Sequence, residues 1–575
     1  MYALRWALFL IAAAAVWSCA SGRGAHANVP SKAIVPRSGF HLSPWFGEQT
    51  YEWWLEGDVR VVINLPGDFD ASKPSQLVIF ATPNGNSIEQ TLGCGKAANL
   101  DWHFDIQHVA AQVRTVRARQ PDRNIVLACL EAEGLSFPAW RKKHGDAPAK
   151  ARRVVEAIVN SVGPIDRIVL TGHSGGGSFV FAFIDGGPTI PDNIERISFL
   201  DSNYSYSDES KHGDKLLAWL NGHESRRLTV IAYDDREITL NGKKVVGPTG
   251  GTFRATERMV ERLRLDVPLT ESRVGEFKTH SGLDGRLQLF VHPNPQNKIL
   301  HTVLVGEMNG VVKTLDDQAV LGGPRVYGQW IQPAPMVPPR PKDAIGGQAF
   351  MNRIAELPRV ERDAAIAQEV LAGNIPDFLR SWQKVTTTHK GRTAEVEVMP
   401  DYLAIGSDDD FVRVPMSPRT AQTIADAWGC SLPTRKIVDV VALNASVKLE
   451  PIPLTQDREQ VGTFVRHHDL IEKQRGSQAL GSLVAGIKKD VVISNRLGEK
   501  PNRVAIYGWH KLDGTPIQPL NVSHVNWYVD YSHGVRLVKR QVLIDGKPRD
   551  IRHVLHDPAI CELLSDEGPI QFPSY

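Results

Sequence analysis

Residues 167–185, RIVLTGHSGGGSFVFAFID, limit what this chain can fold into more than any other stretch. A short apolar run, then Gly-His-Ser-Gly-Gly-Gly, then a second apolar run read as strand, sharp turn and helix. Ile168, Val169 and Leu170 have strand character, and the Phe-Val-Phe-Ala-Phe of residues 179–183 supplies a buried helix face. Gly172, Ser174 and Gly176 give Gly-x-Ser-x-Gly, in which small neighbours allow a strained turn that lifts the serine hydroxyl above a sheet. With 48 glycines in 575 residues, that spacing arises by chance in roughly one chain in four of this length, so its flanks carry the argument. Ser174 is the candidate nucleophile; the competing reading is a glycine-rich turn with an idle serine.

The surroundings alternate. Residues 59–63 read as an early strand that alternates poorly, 76–81 as a buried strand, 105–119 as a helix, 124–128 as a strand and 149–161 as an amphipathic helix leading into the turn. After it, residues 196–200 and 228–232 are strands that each end in an acid, and 287–291 is the last strand. Such alternation predicts an α/β fold with a mostly parallel sheet and helices on both faces.

On these motifs, residues 52–315 resemble the α/β-hydrolase superfamily. The resemblance implies an acyl-serine mechanism without a metal and a triad in the order serine, acid, histidine. His301, in the loop beyond the last strand, fits the histidine, and His173 is expected to pack under the turn. Asp201 follows the first strand after the nucleophile, and Asp234 and Asp235 follow the second. The second position is the commoner in the superfamily. Leu-Asp-x-x-Tyr followed by an Ala-Trp-Leu helix, however, resembles a bacterial group of uncharacterised hydrolases that favours the first, and Asp201 is ranked ahead of Asp234. The implied oxyanion donors are the backbone N–H of Gly175 and the loop of Asn84, Gly85 and Asn86, where the His-Gly-Gly-Gly run of familiar esterases is absent. An ordinary tight turn is the alternative for that loop.

A hydrophobic content of 42% is ample for packed cores, and 66 basic against 64 acidic residues with no basic block exclude nucleic acid as a partner. Arg5 precedes an apolar run that ends near Trp17, too short for a membrane span and right for a secretion signal. Ala25-His26-Ala27 offers cleavage before Asn28, with lipid attachment at Cys19 or an uncleaved anchor as alternatives. The expected address is periplasmic or extracellular, with membrane association only through this segment. In that oxidising setting Cys94, Cys129, Cys430 and Cys561 can pair, a local Cys94–Cys129 bridge being one option among three pairings.

The expected organisation is a signal peptide at 1–27, a hydrolase domain at 28–330, a proline-rich linker at 331–345 and a separate α+β domain at 346–575. In that last part Cys430 precedes a predicted helix, where a dipole favours the thiolate, and His524 and His533 follow as candidate bases. His-Val-x-x-Tyr with a later His-Gly is similar to the histidine strand of NlpC-type cysteine peptidases, although their Asp-Cys-Ser-Gly is Gly-Cys-Ser-Leu here. A metal site from His510, His524, Asp530 and His533 and a purely structural module are the competing readings. No cofactor motif occurs. The expected function is an exported serine hydrolase acting on a small-molecule or cell-envelope ester or amide. The alternative is a cell-envelope binding protein with an inactive hydrolase fold.

Overall fold

The computed structural model describes residues 37–575 apart from 38, 98–99, 101, 103–105 and 501. The expected signal segment, Cys19 and the start of the helix at 105 lie outside the described residues.

One eleven-stranded sheet dominates the first half. It is built from β1 (His41–Leu42), β2 (Gln49–Leu55), β3 (Val59–Leu65), β4 (Ser75–Ala81), β5 (Asn124–Ala132), β6 (Arg167–His173), β7 (Ile194–Leu200) and β8 (Arg227–Tyr233). A two-residue hairpin, β9 (Thr239–Leu240) and β10 (Lys243–Lys244), stands apart, and β11 (Thr270–Val274), β12 (Phe277–Gly282) and β13 (Leu287–His292) complete the large sheet. Its central strands run β5-β4-β6-β7-β8-β13 and are all parallel; antiparallel strands extend both edges. This is the α/β-hydrolase arrangement. The β11–β12 edge is absent from the sequence reading because Thr270–Val274 is polar and wholly exposed, without the alternation that marks a half-buried strand.

Side-chain period explains the two layers. In β4, Leu77, Ile79 and Ala81 enter one core while Val78 and Phe80 enter the other. The helices α3 (Phe137–Lys143), α4 (Ala147–Val162), α5 (Gly177–Asp185), α6 (His212–Asn221) and α7 (Thr252–Arg264) contribute to the first core. On the opposite face lie α1 (Ile88–Leu92), α2 (Val109–Arg119) and α8 (Gly310–Leu315). In α4, Ala151, Val154, Val155, Ile158 and Val162 recur at helical spacing and form its buried stripe.

Beyond residue 345 a second core gathers around Phe350, Met399, Leu403, Ile424, Trp428 and Leu537, between helices and two β-sheets of six and four strands. The two halves interlock. Trp45, from the first half, packs against this second core, and Phe572, near the C-terminus, packs against the sheet core of the first. The expected disulfides do not form: Cys94, Cys129, Cys430 and Cys561 are all free and buried. Cys129 belongs to the sheet core opposite Phe80 of β4, and burial pushes the Cys94 thiol up to about 11. Among the described residues, no helix is long and apolar enough to cross a membrane.

Candidate active site

Strand β6 ends at His173, a short 3₁₀ turn covers Ser174–Gly176, and α5 begins at Gly177. Ser174 sits at φ 53°, in the left-handed region that a side chain rarely occupies, which is the strain the small-residue turn permits. A Cβ at Gly176 would run into the Ala81 carbonyl at the end of β4, and one at Gly175 would strike the Asn84 side chain. Glycine is therefore required where the turn passes the neighbouring strand, and Asn84 lies directly against the residue after Ser174.

Asp201 follows β7, fully buried, also with positive φ (46°), and its N–H donates to the Ile231 carbonyl at 2.7 Å. One carboxylate oxygen meets His301 Nδ1 at 2.5 Å, and the other accepts a hydrogen bond from the Thr252 hydroxyl. His301 keeps about a quarter of its side chain exposed (27%), while its carboxylate partner is at 0%. This arrangement fixes the imidazole proton on Nδ1 and leaves Nε2 as the acceptor. His173 lies beneath: its Nε2–H donates to the His301 carbonyl at 2.9 Å, and the two rings stand 4.4 Å apart. Burial, with the neighbouring His301, holds His173 well below the usual histidine range, so it serves as a neutral support.

The other acid positions are occupied differently. Asp234 turns to Arg236, receiving Nε at 2.9 Å and Nη2 at 2.7 Å, and makes no hydrogen bond to His301. The ranking that kept Asp234 as an alternative triad acid is thus corrected by a partner only two residues away. Asp235 accepts the Thr252 N–H at 2.8 Å, and burial with the nearby Asp201 charge pushes its carboxyl up to about 6. Thr252 therefore bridges two carboxylates at the start of α7. Sequence reading missed it because a threonine after two glycines carries no signal beyond a helix start.

In the candidate oxyanion loop, the Gly85 N–H donates to the Leu135 carbonyl at 2.9 Å and the Asn86 N–H to the Pro83 carbonyl at 3.4 Å. The first is spent on the segment after β5 and the second within the turn, so the expectation that the Gly85 and Asn86 N–H groups donate to substrate is corrected. Asn84, exposed and lying against Gly175, is the group the loop offers.

The second candidate site does not assemble. Cys430 lies in the two-residue strand Cys430–Ser431, and the following helix, Arg435–Asn444, is capped by Thr434. The thiol is thus four residues short of the N-cap that would favour its thiolate. It donates to the Trp428 carbonyl at 3.5 Å, and burial pushes it up to about 12. Its charged surroundings are Lys539, Arg540 and Asp426, whereas those of His533 are Asp530, Lys489, His524 and Lys488. His524 stacks on Tyr528 at 4.5 Å, and burial pushes the fully covered His533 down to about 4. His510 bonds Asp439 at 2.8 Å, and Asp530 is held by Arg458 at 2.7 Å. Among the described residues, no three histidine, cysteine or acidic side chains are arranged to hold a metal ion. The thiol and metal readings of this region are both corrected.

No family model matches the chain, and no curated protein matches its sequence. Solved structures similar to it include a thermostable esterase, 13% identical over 47% of this chain and 61% of that one, with a TM-score of 0.29. This chain thus spans less than two thirds of that esterase. A protein from Thermoplasma acidophilum described as a predicted CIB-like hydrolase is 12% identical over 38% of this chain and 82% of that one, with a TM-score of 0.23. A mutant feruloyl esterase module from Clostridium thermocellum, complexed with sinapinate, is 11% identical over 50% of this chain and 93% of that one, with a TM-score of 0.30.

Proposed function

We propose that this chain is an exported serine hydrolase that cleaves an ester or amide through an acyl-serine intermediate. The observation that carries the reading is the fully buried Asp201 carboxylate 2.5 Å from His301 Nδ1, with Asp201 following the C-terminal end of β7 next to β6, which leads into the strained Ser174. Ser174 Oγ attacks the carbonyl carbon as His301 Nε2 removes its proton; the tetrahedral oxyanion forms against the Gly175 N–H and Asn84. The imidazolium then returns the proton to the leaving alcohol or amine. Water repeats the sequence on the acyl-serine, releasing the acid and the free hydroxyl. Asp201 stabilises the imidazolium without itself being protonated, and each oxyanion donor contributes about 3 to 4 kcal/mol to the transition state. Export rests on the N-terminal apolar run after Arg5, and the substrate class is a small-molecule or cell-envelope ester or amide.

The test is covalent labelling of the purified protein by a fluorophosphonate, read by intact mass and peptide mapping with Ser174→Ala as control. Labelling confined to Ser174 is the expected result. A folded wild-type protein that takes no label overturns the proposal.

A further inference from the structure

The two halves of the molecule meet through buried charge. Arg60, the second residue of β3, is fully buried, and its Nε lies 2.9 Å from Glu52. Its two terminal nitrogens reach Glu89 at 2.5 and 3.1 Å, and one lies 3.4 Å from Glu131. Three carboxylates thus converge on a single guanidinium. The missing positive charge comes from the far end of the chain. Arg552 bonds Glu52 at 2.7 Å and Asp426 at 2.6 Å, Arg540 lies 3.1 Å from Glu89 and 2.5 Å from Asp550, and His553 Nε2 lies 2.8 Å from Glu131. His41 approaches Asp426 at 2.9 Å. Glu52, Glu89, Glu131, Asp426 and Asp550 therefore face Arg60, Arg540 and Arg552, with His41 beside Asp426 and His553 beside Glu131. The neighbouring rings are fitted as closely, with Trp54 of β2 stacked on His556 at 3.7 Å.

This cluster ends on the segment that carries the oxyanion loop. Helix α1 has five residues and follows Asn84 to Ser87 directly. So short a helix is not stable on its own and is held by what its side chains and ends engage. Ser87 and Gln90 form a capping box, but the N–H of Ile88 donates to Glu131 at 2.7 Å, and Glu89 lies between Arg60 and Arg540. Glu131 is in turn held by His553. On its other side the loop rests on Gly175 through Asn84. The loop is thus held at the nucleophile turn, at Leu135 through the Gly85 N–H, and at α1, where the anchor is completed by residues more than four hundred positions away.

We infer that the C-terminal half positions the oxyanion loop of the serine site, with Arg540 and Arg552 (3.7 Å from Glu89) acting through Glu89 of α1, and His553 acting through Glu131 of β5, which holds the first N–H of α1. The inference rests on the hydrolase reading above. It assigns the C-terminal half a role in the reaction without a second active site: the half completes a buried ion cluster that sets where Asn84 stands relative to Gly175. A donor that serves the transition state and contacts the ground state weakly acts on kcat more than on KM.

The test uses the full chain, with Arg540→Met, Arg540→Lys and Glu89→Gln measured on a p-nitrophenyl ester and by the rate of fluorophosphonate labelling at Ser174. Near-ultraviolet circular dichroism reports folding. Because a displacement of the order of 1 Å costs about 100-fold, a partial release of the loop in Arg540→Met is expected to lower kcat about 10-fold or more with KM within about 2-fold. Arg540→Lys, which keeps a charge beside Glu89, is expected to recover most of the loss. Glu89→Gln, an isostere on the α1 side, reproduces the kcat effect if Arg540→Met does not fold. A labelled wild type whose folded variants keep the wild-type kcat overturns the inference alone; an unlabelled wild type overturns the hydrolase reading and the inference with it.

Discussion

Replacing Asp201 by asparagine changes one atom of the site and reverses the chemistry of its histidine. Asp201 is fully buried, with one oxygen taking the Thr252 hydroxyl and the other 2.5 Å from His301 Nδ1. In Asp201→Asn the amide oxygen stays on the Thr252 side, because that side supplies a donor, and the amide NH₂ is left facing Nδ1. His301 must then accept at Nδ1 and carry its proton on Nε2, the nitrogen that should receive the serine proton. The shape of the site is preserved and the general base is lost. The expected fall in kcat is about 10⁴-fold, as for the wrong imidazole tautomer in other triads. At 1.36 kcal/mol per factor of ten this is about 5.4 kcal/mol of transition-state stabilisation. Asp234→Asn disturbs only a pair with the half-exposed Arg236 and is expected to stay within about 2-fold of wild type. The assay is steady-state hydrolysis of a p-nitrophenyl ester with fluorophosphonate labelling in parallel. If Asp201→Asn kept activity within about 10-fold while Asp234→Asn abolished it, the assignment of the acid and the tautomer argument would both fail.

Three further outcomes follow from the same geometry. Gly176→Ala drives a methyl group into the Ala81 carbonyl and is expected to cost about 1 to 3 kcal/mol of stability, read from urea denaturation, with loss of labelling at Ser174. Cys430→Ala is expected to leave ester hydrolysis and labelling unchanged, and the native Cys430 thiol, buried and pushed up to about 12, should resist iodoacetamide until the protein is unfolded. Burial opposes charge on His553, but Glu131, with Asp550 behind it, outweighs burial and the Arg60 charge and raises its pKa. A raised value means stability that is fully present below the unfolded-state pKa of about 6.5 and lost as pH rises through the higher folded value. The urea midpoint of the wild type should therefore exceed that of His553→Gln most at about pH 5.5, with the gap narrowing above neutrality.

The strand-turn-helix around Ser174 was readable because its constraint is local. Small residues at 172, 175 and 176 and apolar runs on either side are needed wherever a strand must turn sharply into a helix beside another strand, and all lie within one stretch of sequence. The sheet was readable for a similar reason, since the apolar runs that signal doubly buried strands occur in parallel sheets. The acid was not readable to the same degree. β7 and β8 are each followed by an aspartate, and what separates them is where a side chain finds its partner: Arg236 for Asp234, His301 and Thr252 for Asp201. In the C-terminal half the sequence displayed suitable residue types without their distances. Cys430, His524 and His533 suit a thiol site in composition, yet the thiol faces a different set of charges from those around His533.

Strand β3 shows what kind of signal was present but unassigned. Val59, Val61, Ile63 and Leu65 line one core, while the opposite face presents Arg60, Val62 and Asn64. Read alone, a fully charged side chain inside an apolar strand is poor alternation or an edge facing water. In the fold, Arg60 meets Glu52, Glu89 and Glu131, and Asn64 receives Arg117 at 2.8 Å. The irregular pattern is the trace of a strand buried on both sides, one of them polar. A buried guanidinium needs partners to offset its desolvation, and removing one partner of such a set leaves an uncompensated charge at a cost of about 3 to 5 kcal/mol. Those partners came from three places in the first half, and the charges that balance them in turn came from the last forty residues, so only the folded chain could show that the two halves share one electrostatic account. The same cluster joins the C-terminal half to α1, the helix that follows the Asn84 loop, through Glu89 and Glu131.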